Sequence, residues 1–343
     1  MFQPKYTITN LLLANIKRIS SLVTQLNNLR FSHVVLAELE KTARAVSSHA
    51  STSIEGNPLP LTEVKKILKS TPAHVRDSEK EVLNYNTALL HLNEKLASPP
   101  TPLSLDLILD IHKLVMQDLL PDFEVGRLRQ KPVIVNDPRT GRTIYMPPDA
   151  SEVKTLTPQL VEFVAANHQT IDPLILAGIF HKQLVLIHPF MDGNGRTTRL
   201  ATKVLLAQMG LNTFKLFSFE NYYNQNVTRY FQMVGELGNY YEIVSHIDFT
   251  SWLEYFTEGI IDELLRIQKN LPMAQNPSER LRSHDQQILT FIQENGFITD
   301  RDYAKLTRRA KATRALDFKK LISLGLIERR AKAKSTYYVL KDL

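Results

Sequence analysis

The sequence contains no cysteine among its 343 residues. Disulfide bridges and thiolate zinc sites are therefore excluded, which is typical of a protein that works in a reducing compartment. The first residues, MFQPKYTITN, contain no charged region followed by an apolar run, so no secretory signal is expected. Together these two absences predict a cytoplasmic protein.

Long uninterrupted apolar runs are also missing. The most apolar segment, PLILAGIFHKQLVLIHPF, is interrupted by His181 and Lys182 and therefore predicts a buried helix rather than a membrane span. We expect no membrane partner. With 43% hydrophobic residues, the chain can build a sizeable core, and its length is sufficient for two domains.

Most of the chain carries no net charge. Residues 1–280 contain 28 Lys+Arg and 28 Asp+Glu, whereas residues 281–343 contain 14 and 7. The formal charge of +7 therefore belongs to the C-terminal tail. Such an asymmetry indicates a separate module with an anionic partner.

Most segments of the chain have the pattern of helices. Apolar residues recur at a period near 3.6 over much of the chain, which predicts a mostly all-α fold class. One helix is predicted at about 33–56, after a plausible N-cap at Ser32 and before Gly56. It belongs to an N-terminal helical region at 1–100, which the proline-rich stretch ASPPTPLS separates from a core domain at 101–270.

The segment KPVIVNDPRTGRTIYMPP, residues 131–148, breaks the helical pattern. The runs PVIV and TIYM flank the turn NDPRTG, which predicts a β-hairpin. Two interpretations of the hairpin are open. It is either a surface decoration or a flap whose exposed strand edge lays a substrate segment in extended form across a site.

The tail at 281–343 reads as three helices followed by two short strand-like runs around a basic turn. That order is typical of a winged helix-turn-helix. Its basic residues predict contacts with DNA phosphates or, alternatively, docking of a protein. They lie on or near the candidate recognition helix and in the wing: Lys311, Arg314, Lys319, Lys320, Arg329, Arg330, Lys332 and Lys334.

The stretch HPFMDGNGRTTRL, residues 188–200, concentrates chemically active side chains. Its proline, Pro189, ends the apolar helix, and Gly193 and Gly195 let the backbone turn sharply before a new helix begins. The free N–H groups at the start of that helix form an anion site. Arg196 and Arg199 share one face there, and a bound polyphosphate would offset their unfavourable position at the positive end of the helix dipole.

Two more side chains complete the chemical interpretation of this stretch. His188 has the near-neutral titration of a general base, and Asp192 offers the lone carboxylate with which proteins usually hold Mg²⁺ beside phosphates. The alternative is an N-capped helix whose loop is closed by a salt bridge between Asp192 and Arg196. The residues taken one at a time leave both interpretations open.

The stretch resembles the signature of the Fic family, H-P-F-x-[DE]-G-N-G-R-x-x-R, at every specified position. The resemblance implies a helical Fic domain whose hairpin at 131–148 is a target-positioning flap. It also implies that the domain moves AMP from ATP to a protein hydroxyl, with Mg²⁺ as cofactor, His188 as base and Asp192 on the metal. The nucleotide-binding residues that it implies are Gly193, Asn194, Gly195, Arg196, Thr197, Thr198, Arg199, Tyr230 and Phe231, the last standing where the family usually has a second tyrosine.

A second stretch, STSIEGN, resembles the family's inhibitory helix motif, [ST]-x-x-x-E-[GN]. Ser51 and Glu55 are spaced one turn apart on the same face of a helix that ends before Gly56. The resemblance implies that Glu55 pairs with Arg199 and holds the domain inactive.

Three functions follow as hypotheses. The first is autoinhibited AMPylation of a Ser, Thr or Tyr hydroxyl on a target protein, which includes modification of the protein itself. The second is Glu55-dependent removal of AMP from a modified target, and the third is DNA-binding regulation through the tail. The sequence does not identify the target protein, and it does not fix the oligomeric state, for which a homodimer is one candidate.

Overall fold

The computed structural model describes residues 2–29, 33–72, 74–97, 101–136, 141–274, 281–323, 326–332 and 335–341. This part of the chain is mostly helical with few short strands, which confirms the predicted fold class. Ser32, the hairpin turn at 137–140 and Lys334 lie outside the described residues. No helix within the described ranges combines the length and the apolar character needed to cross a membrane.

The regular elements of the described residues follow in chain order. The helices are α1 (Asn10–Asn27), α2 (His33–Ile54), α3 (Leu61–Lys69), α4 (Asp77–Leu96), α5 (Leu105–Met116), α6 (Ala150–Asn167), α7 (Pro173–Ile187), α8 (Asn194–Leu206), α9 (Glu220–Gln225), α10 (Val227–Val234), α11 (Tyr240–Ile243), α12 (Thr250–Ala274), α13 (Ser283–Asn295), α14 (Asp300–Leu306) and α15 (Lys311–Ser323). The strands are β1 (Val135–Asn136), β2 (Thr143–Met146), β3 (Gly238–Asn239), β4 (Ile327–Lys332) and β5 (Ser335–Leu340).

The long helix α2 contributes to both of the compact units into which the chain divides. The first unit comprises residues 1–29 and 43–267, and the second comprises 30–42 and 268–343. The predicted N-terminal region at 1–100 is therefore not a unit of its own. One continuous helix crosses the boundary, and its early residue Ala37 packs against the apolar core of the second unit.

The helix α7 is the most deeply buried element of the first unit. Its N-cap Asp172 accepts a hydrogen bond from the N–H of Leu174, and Pro173 stands in the first turn, where its missing N–H costs little. Nearly all its side chains are buried, as expected for a core helix. It ends at His188, which adopts the left-handed conformation (φ 51°) before Pro189.

The helix α8 begins just after this turn and packs against α7 and α5. Gly193 is its N-cap with φ 75°, a conformation that favours glycine. A Cβ at this position would also lie within 2.5 Å of the sulfur of Met116. Both the backbone angle and the space therefore require glycine, and the loop between α7 and α8 is fixed in the middle of the unit.

The predicted hairpin is present, but its first strand is shorter than the run PVIV suggested. Of that run only Val135 lies in β1, which pairs with β2 in antiparallel register, with Val135 opposite Tyr145. Pro132 has no N–H to donate to a ladder, and the pairing starts three residues later. On its other side β2 pairs in parallel with β3, so a third strand supports the hairpin.

The second unit contains α13, α14 and α15 followed by the antiparallel pair of β4 and β5. Between α13 and α14, Ile298 forms a bridge to Tyr338 on β5 and fastens the strand pair to the helices. The unit has its own apolar core. The core residues are Leu281, Ile288, Leu289, Ile292, Ile298, Tyr303, Phe318, Leu321, Leu326 and Ile327.

Two of the basic residues predicted to contact a partner pair with carboxylates of the second unit instead. Arg314 forks onto the carboxylate of Asp300 with two bonds of 2.9 Å, and Lys320 pairs with buried Asp285. These two cations therefore join the helices of the unit rather than face a partner. The predicted cations that remain exposed are Lys311, Lys319, Arg329 and Arg330, and the side chain of Lys332 lies outside the described residues.

Candidate active site

The imidazole of His188 lies at the start of the loop between α7 and α8. Its Nδ1 is 3.1 Å from the carbonyl of Val185, which can only accept, so Nδ1 carries the proton and Nε2 keeps its lone pair. Burial lowers the pKa of His188 and the charge of Arg129 lowers it further, against the opposing effects of the Val185 carbonyl, Glu55 and Asp192. The ring is therefore neutral near pH 7 and suited to accept a proton.

The guanidinium of Arg199 is fully buried and is held by the end of α2. Its Nη2 donates to Oε1 of Glu55 at 2.7 Å and to the carbonyl of Ser51, while Nε donates to Oγ of Ser51 at 2.8 Å. Burial lowers the pKa of Arg199, but the interactions with Glu55, Tyr230 and Tyr85 raise it by more, so that the pKa lies above its ordinary value. The ion pair expected between Glu55 and Arg199 is present.

The carboxylate of Glu55 also fills the space over the start of α8. Glu55 directly follows the last residue of α2, and the next residue, Gly56, turns the chain away with φ 94°. A Cβ on Gly195 would collide with Oε1 of Glu55. The carboxylate thus lies against a helix N-terminus, where the free N–H groups and the helix dipole favour an anion.

Several buried donors on the first turns of α8 have no hydrogen-bond partner among the described residues. They include Nη1 of Arg199 and both Nε and Nη1 of Arg196. Glu81 lies 3.6 Å from Nη1 of Arg196 without forming a hydrogen bond. The hydroxyls of Thr197 and Thr198 are unpartnered as well. Because buried donors without acceptors are costly, such a cluster indicates a site shaped for an anionic ligand.

The loop before α8 is closed by its own side chains. Asn194 accepts from the N–H of Phe190 and donates to its carbonyl, both at 2.9 Å, so its side chain holds the loop, and its contact with a nucleotide stays a prediction. Asp192 Oδ1 pairs with Nη2 of Arg196 at 3.3 Å and accepts from the N–H of Gly193. The salt bridge considered from the sequence exists, yet the Asp192 side chain is 61% exposed and remains accessible to a cation.

The two aromatic residues expected beside the nucleotide lie in different environments. Tyr230 is buried, and its hydroxyl is 3.0 Å from Nε2 of His181, whose Nδ1 is 3.0 Å from the hydroxyl of Thr202. The phenol also interacts with Arg199. Tyr230 is therefore a buried contact of Arg199. Phe231, by contrast, is 44% exposed and available to contact a ligand.

His112 is a supporting residue that the sequence did not single out. Its Nδ1 accepts from the N–H of Gly126, so Nε2 donates to the carbonyl of Asp192, and the ring stacks on Phe190 at 3.8 Å. Burial lowers the pKa of His112 to about 4, and the ring stays neutral. No motif marks it, because one histidine on an amphipathic helix is ordinarily a core residue.

Arg129, in the segment before β1, is the second residue that sequence reasoning missed. It is only 4% exposed, and its side chain donates to the carbonyls of His188, Lys131 and Pro148. Its backbone N–H donates to the carbonyl of Pro189 at 2.9 Å. The polar run GRLRQ gave no signal for this role, since an arginine in a loop is usually solvated.

Comparison with known proteins supports the sequence interpretation. Residues 102–206 match the family model described as Fic/DOC family, and this range contains the loop and all of α8. Protein adenylyltransferase fic-1 of Caenorhabditis elegans is 32% identical over 200 residues, which cover 57% of this chain and 38% of that protein. Protein adenylyltransferase Fic of Drosophila erecta is 30% identical over 183 residues, covering 52% of this chain and 35% of that protein. The chain thus spans less than half the length of these curated relatives.

Solved structures show the same fold. A Fic family protein from Desulfovibrio desulfuricans superposes with a TM-score of 0.67 and 20% identity, covering 100% of this chain and 99% of that one. Fic-1 (aa134–508) from C. elegans superposes with a TM-score of 0.57 and 23% identity over 76% of this chain and 74% of that one. At these identities the likeness concerns the fold. Residues 102–206, which match the Fic/DOC family model, are therefore a Fic domain.

Proposed function

We propose that the Fic domain transfers AMP from ATP to a Ser, Thr or Tyr hydroxyl of a protein. The observation that carries this proposal is the cluster of unpartnered buried donors at the start of α8, next to the neutral imidazole of His188. The cluster suits a polyphosphate, and the imidazole suits a hydroxyl that must lose its proton. The curated relatives, both protein adenylyltransferases by name, support the same reaction.

In the proposed reaction, Nε2 of His188 takes the proton of the target hydroxyl as its oxygen attacks the α-phosphorus of ATP. The bond between the α-phosphorus and the bridging oxygen breaks, and pyrophosphate leaves with the electron pair. Arg196 and Arg199 stabilise the charge on this leaving group through their free N–H groups. The backbone N–H group of Gly195 and the hydroxyls of Thr197 and Thr198 are the further donors for phosphate oxygens, and Phe231 is the candidate contact for the base. The N–H of Gly193 donates to Asp192 in this structure and reaches a phosphate only if that bond is exchanged.

Asp192 is the residue that would hold a divalent cation, with Mg²⁺ as the proposed ion. Its carboxylate is exposed at the edge of the phosphate site, and one carboxylate completed by phosphate oxygens and water is a donor set that fits Mg²⁺. When bound, the cation neutralises charge on the phosphates. The salt bridge from Arg196 to Asp192 orients the carboxylate.

We further propose that Glu55 inhibits the domain. Its carboxylate holds Nη2 of Arg199 and lies over Gly195, at the helix N-terminus that would receive a phosphate. A nucleotide must therefore bind with its phosphates displaced, and small displacements are costly because phosphoryl transfer depends on positioning. The alternative role, in which Glu55 orients a water that removes AMP from a target, requires a carboxylate oxygen that is free of Arg199.

Substitution of Glu55 tests inhibition and the reaction class together. We expect Glu55→Gly to raise incorporation of labelled AMP into protein by about tenfold or more, because Arg199 and the space over Gly195 are released. In that background, His188→Ala and Arg199→Ala should each remove the gain. Incorporation is measured by intact mass after incubation with ATP and Mg²⁺. Unchanged transfer by Glu55→Gly would contradict inhibition, and AMP removal by the wild type that Glu55→Gly lacks would favour the reverse reaction.

The pH dependence of the transfer tests the role of His188. Burial lowers its pKa, and Glu55 raises it, so the pKa should be lowest in the Glu55→Gly protein. A base with a depressed pKa stays deprotonated on acidification, so the rate should hold from about pH 8 to below the ordinary histidine value of about 6.5. Single-turnover transfer at saturating ATP measures this profile. A rate already halved near neutral pH would contradict the assignment.

We also propose a separate partner for the second unit, which we regard as a winged helix-turn-helix. Lys311 and Lys319 are exposed on α15, and Arg329 and Arg330 are exposed on β4, which supports contact with DNA phosphates. Arg330 also pairs with Glu328, and Arg314 and Lys320 pair with carboxylates of the unit, which reduces the phosphate contacts that this surface can make.

Duplex DNA binding by the full chain tests this second function. The full chain is needed because residues 30–42 belong to the same unit as the tail. Binding measured by fluorescence anisotropy should weaken with salt. The double variant Lys311→Ala, Lys319→Ala should reduce the slope of log affinity against log salt concentration by about two, since two phosphate contacts are lost. The pair Lys65→Ala and Lys154→Ala, exposed in the first unit, removes the same charge and should leave the slope unchanged. Absence of binding at low salt would leave protein docking as the role of the unit.

The remaining expectations are proposals as well. The absence of cysteine supports a cytoplasmic location. The proposed target is another protein. Transfer of AMP to the chain itself can be measured before that target is known.

A further inference from the structure

Arg129 is a buried cation that the proposed reaction does not use. Its side chain is 4% exposed, and among the described residues no carboxylate lies within 4.0 Å of it, Asp149 being the acidic group that acts on it from farther away. Its hydrogen bonds go only to backbone carbonyl groups. Burying a guanidinium without a directly paired carboxylate costs free energy, which its three carbonyl acceptors offset in part.

Those three acceptors connect two parts of the molecule that the reaction needs. Nε donates to the carbonyl of His188 at 2.8 Å. Nη1 donates to the carbonyl of Lys131 at 3.1 Å, and Nη2 donates to the carbonyl of Pro148. Lys131 and Pro148 are the two ends of the hairpin segment at 131–148. One planar fork therefore holds the residue that carries the base and both ends of the flap.

The backbone of His188 gives this contact a particular consequence. His188 has φ 51° and ψ 61°, a left-handed conformation that side-chain-bearing residues rarely adopt. Its carbonyl is fixed by Arg129, and the next carbonyl, that of Pro189, accepts from the Arg129 backbone N–H. These bonds set the direction in which the imidazole leaves the backbone, and so the direction of Nε2.

We propose that Arg129 is a positioning residue that fixes the flap relative to His188, so that a target hydroxyl carried by the flap meets the imidazole. The inference rests on the proposed AMP transfer and on the flap interpretation of the hairpin. Arg129 touches neither the nucleotide site on α8 nor the reacting atoms. Its loss therefore slows transfer to protein without weakening the binding of ATP, because transfer depends on the mutual placement of base and hydroxyl.

The experiment compares Arg129→Met with Arg127→Met, both in the Glu55→Gly protein. Arg127 lies two positions earlier in the same segment and is exposed, so its loss is a matched control. Two quantities are measured: the rate of AMP incorporation against ATP concentration, and hydrogen–deuterium exchange of segments 131–148 and 186–190. We expect Arg129→Met to lower the saturated rate by about tenfold or more while the half-saturating ATP concentration changes less than about threefold. Exchange should accelerate in both segments.

The control variant should match its parent in all of these measurements. A saturated rate equal to that of the parent, an equal loss of ATP affinity, or faster exchange in only one of the two segments would overturn the proposal. If Arg129→Met does not fold, Arg129→Lys replaces it. A single ammonium cannot reproduce a planar fork onto three carbonyls, so a lysine variant equal to the parent in rate and exchange would also overturn it.

The design separates this inference from the function on which it rests. If the Glu55→Gly parent transfers no AMP, the proposed function fails. The exchange measurement then decides alone whether Arg129 holds both segments: faster exchange in both supports the clamp, and faster exchange in one or neither overturns it.

Discussion

The buried charge of Arg199 is the constraint on which this site depends. A guanidinium with no exposed surface must be surrounded by acceptors, and in this structure they come from Ser51 and Glu55 at the end of α2. Within the described part of the chain, Nη1 of the same side chain has no hydrogen-bond partner, and it lies beside Gly195 at the anion site. Arg199 can therefore satisfy its charge with a carboxylate of its own chain or with a phosphate, and the two compete for one group.

A network of buried polar side chains surrounds Arg199 on the side away from the nucleotide site. Tyr230 interacts with both Arg199 and the buried His181. Ser51 contacts Arg199 and interacts with Tyr85, whose hydroxyl donates to buried Glu220 at 2.7 Å. A network of this kind holds the guanidinium in place whichever anion it meets. The same elements thus serve the inhibited state and the proposed active state.

The sequence predicted the parts of the site that short motifs encode. The loop and first turn of α8 followed from glycine spacing and from a family signature, and the partner of Arg199, 144 positions away, followed from a second motif. Contacts that depend on tertiary packing were not predictable. The bonds by which Asn194 closes its own loop, and the inward direction of Tyr230, were not visible in the sequence. The roles of His112 and Arg129 depend on bonds to backbone carbonyl groups, which leave no pattern in a sequence.

The central claim is that Glu55 and a phosphate compete for Arg199, and nucleotide affinity measures this competition most directly. ATP and AMP are titrated by calorimetry into His188→Ala, which prevents turnover, with and without Glu55→Gly. Competition at the distal phosphates predicts that Glu55→Gly tightens ATP binding on the order of tenfold while AMP binding changes less than about twofold, because only ATP reaches Arg199 with its outer phosphates. An equal gain for both nucleotides, or no gain for ATP, would contradict the account.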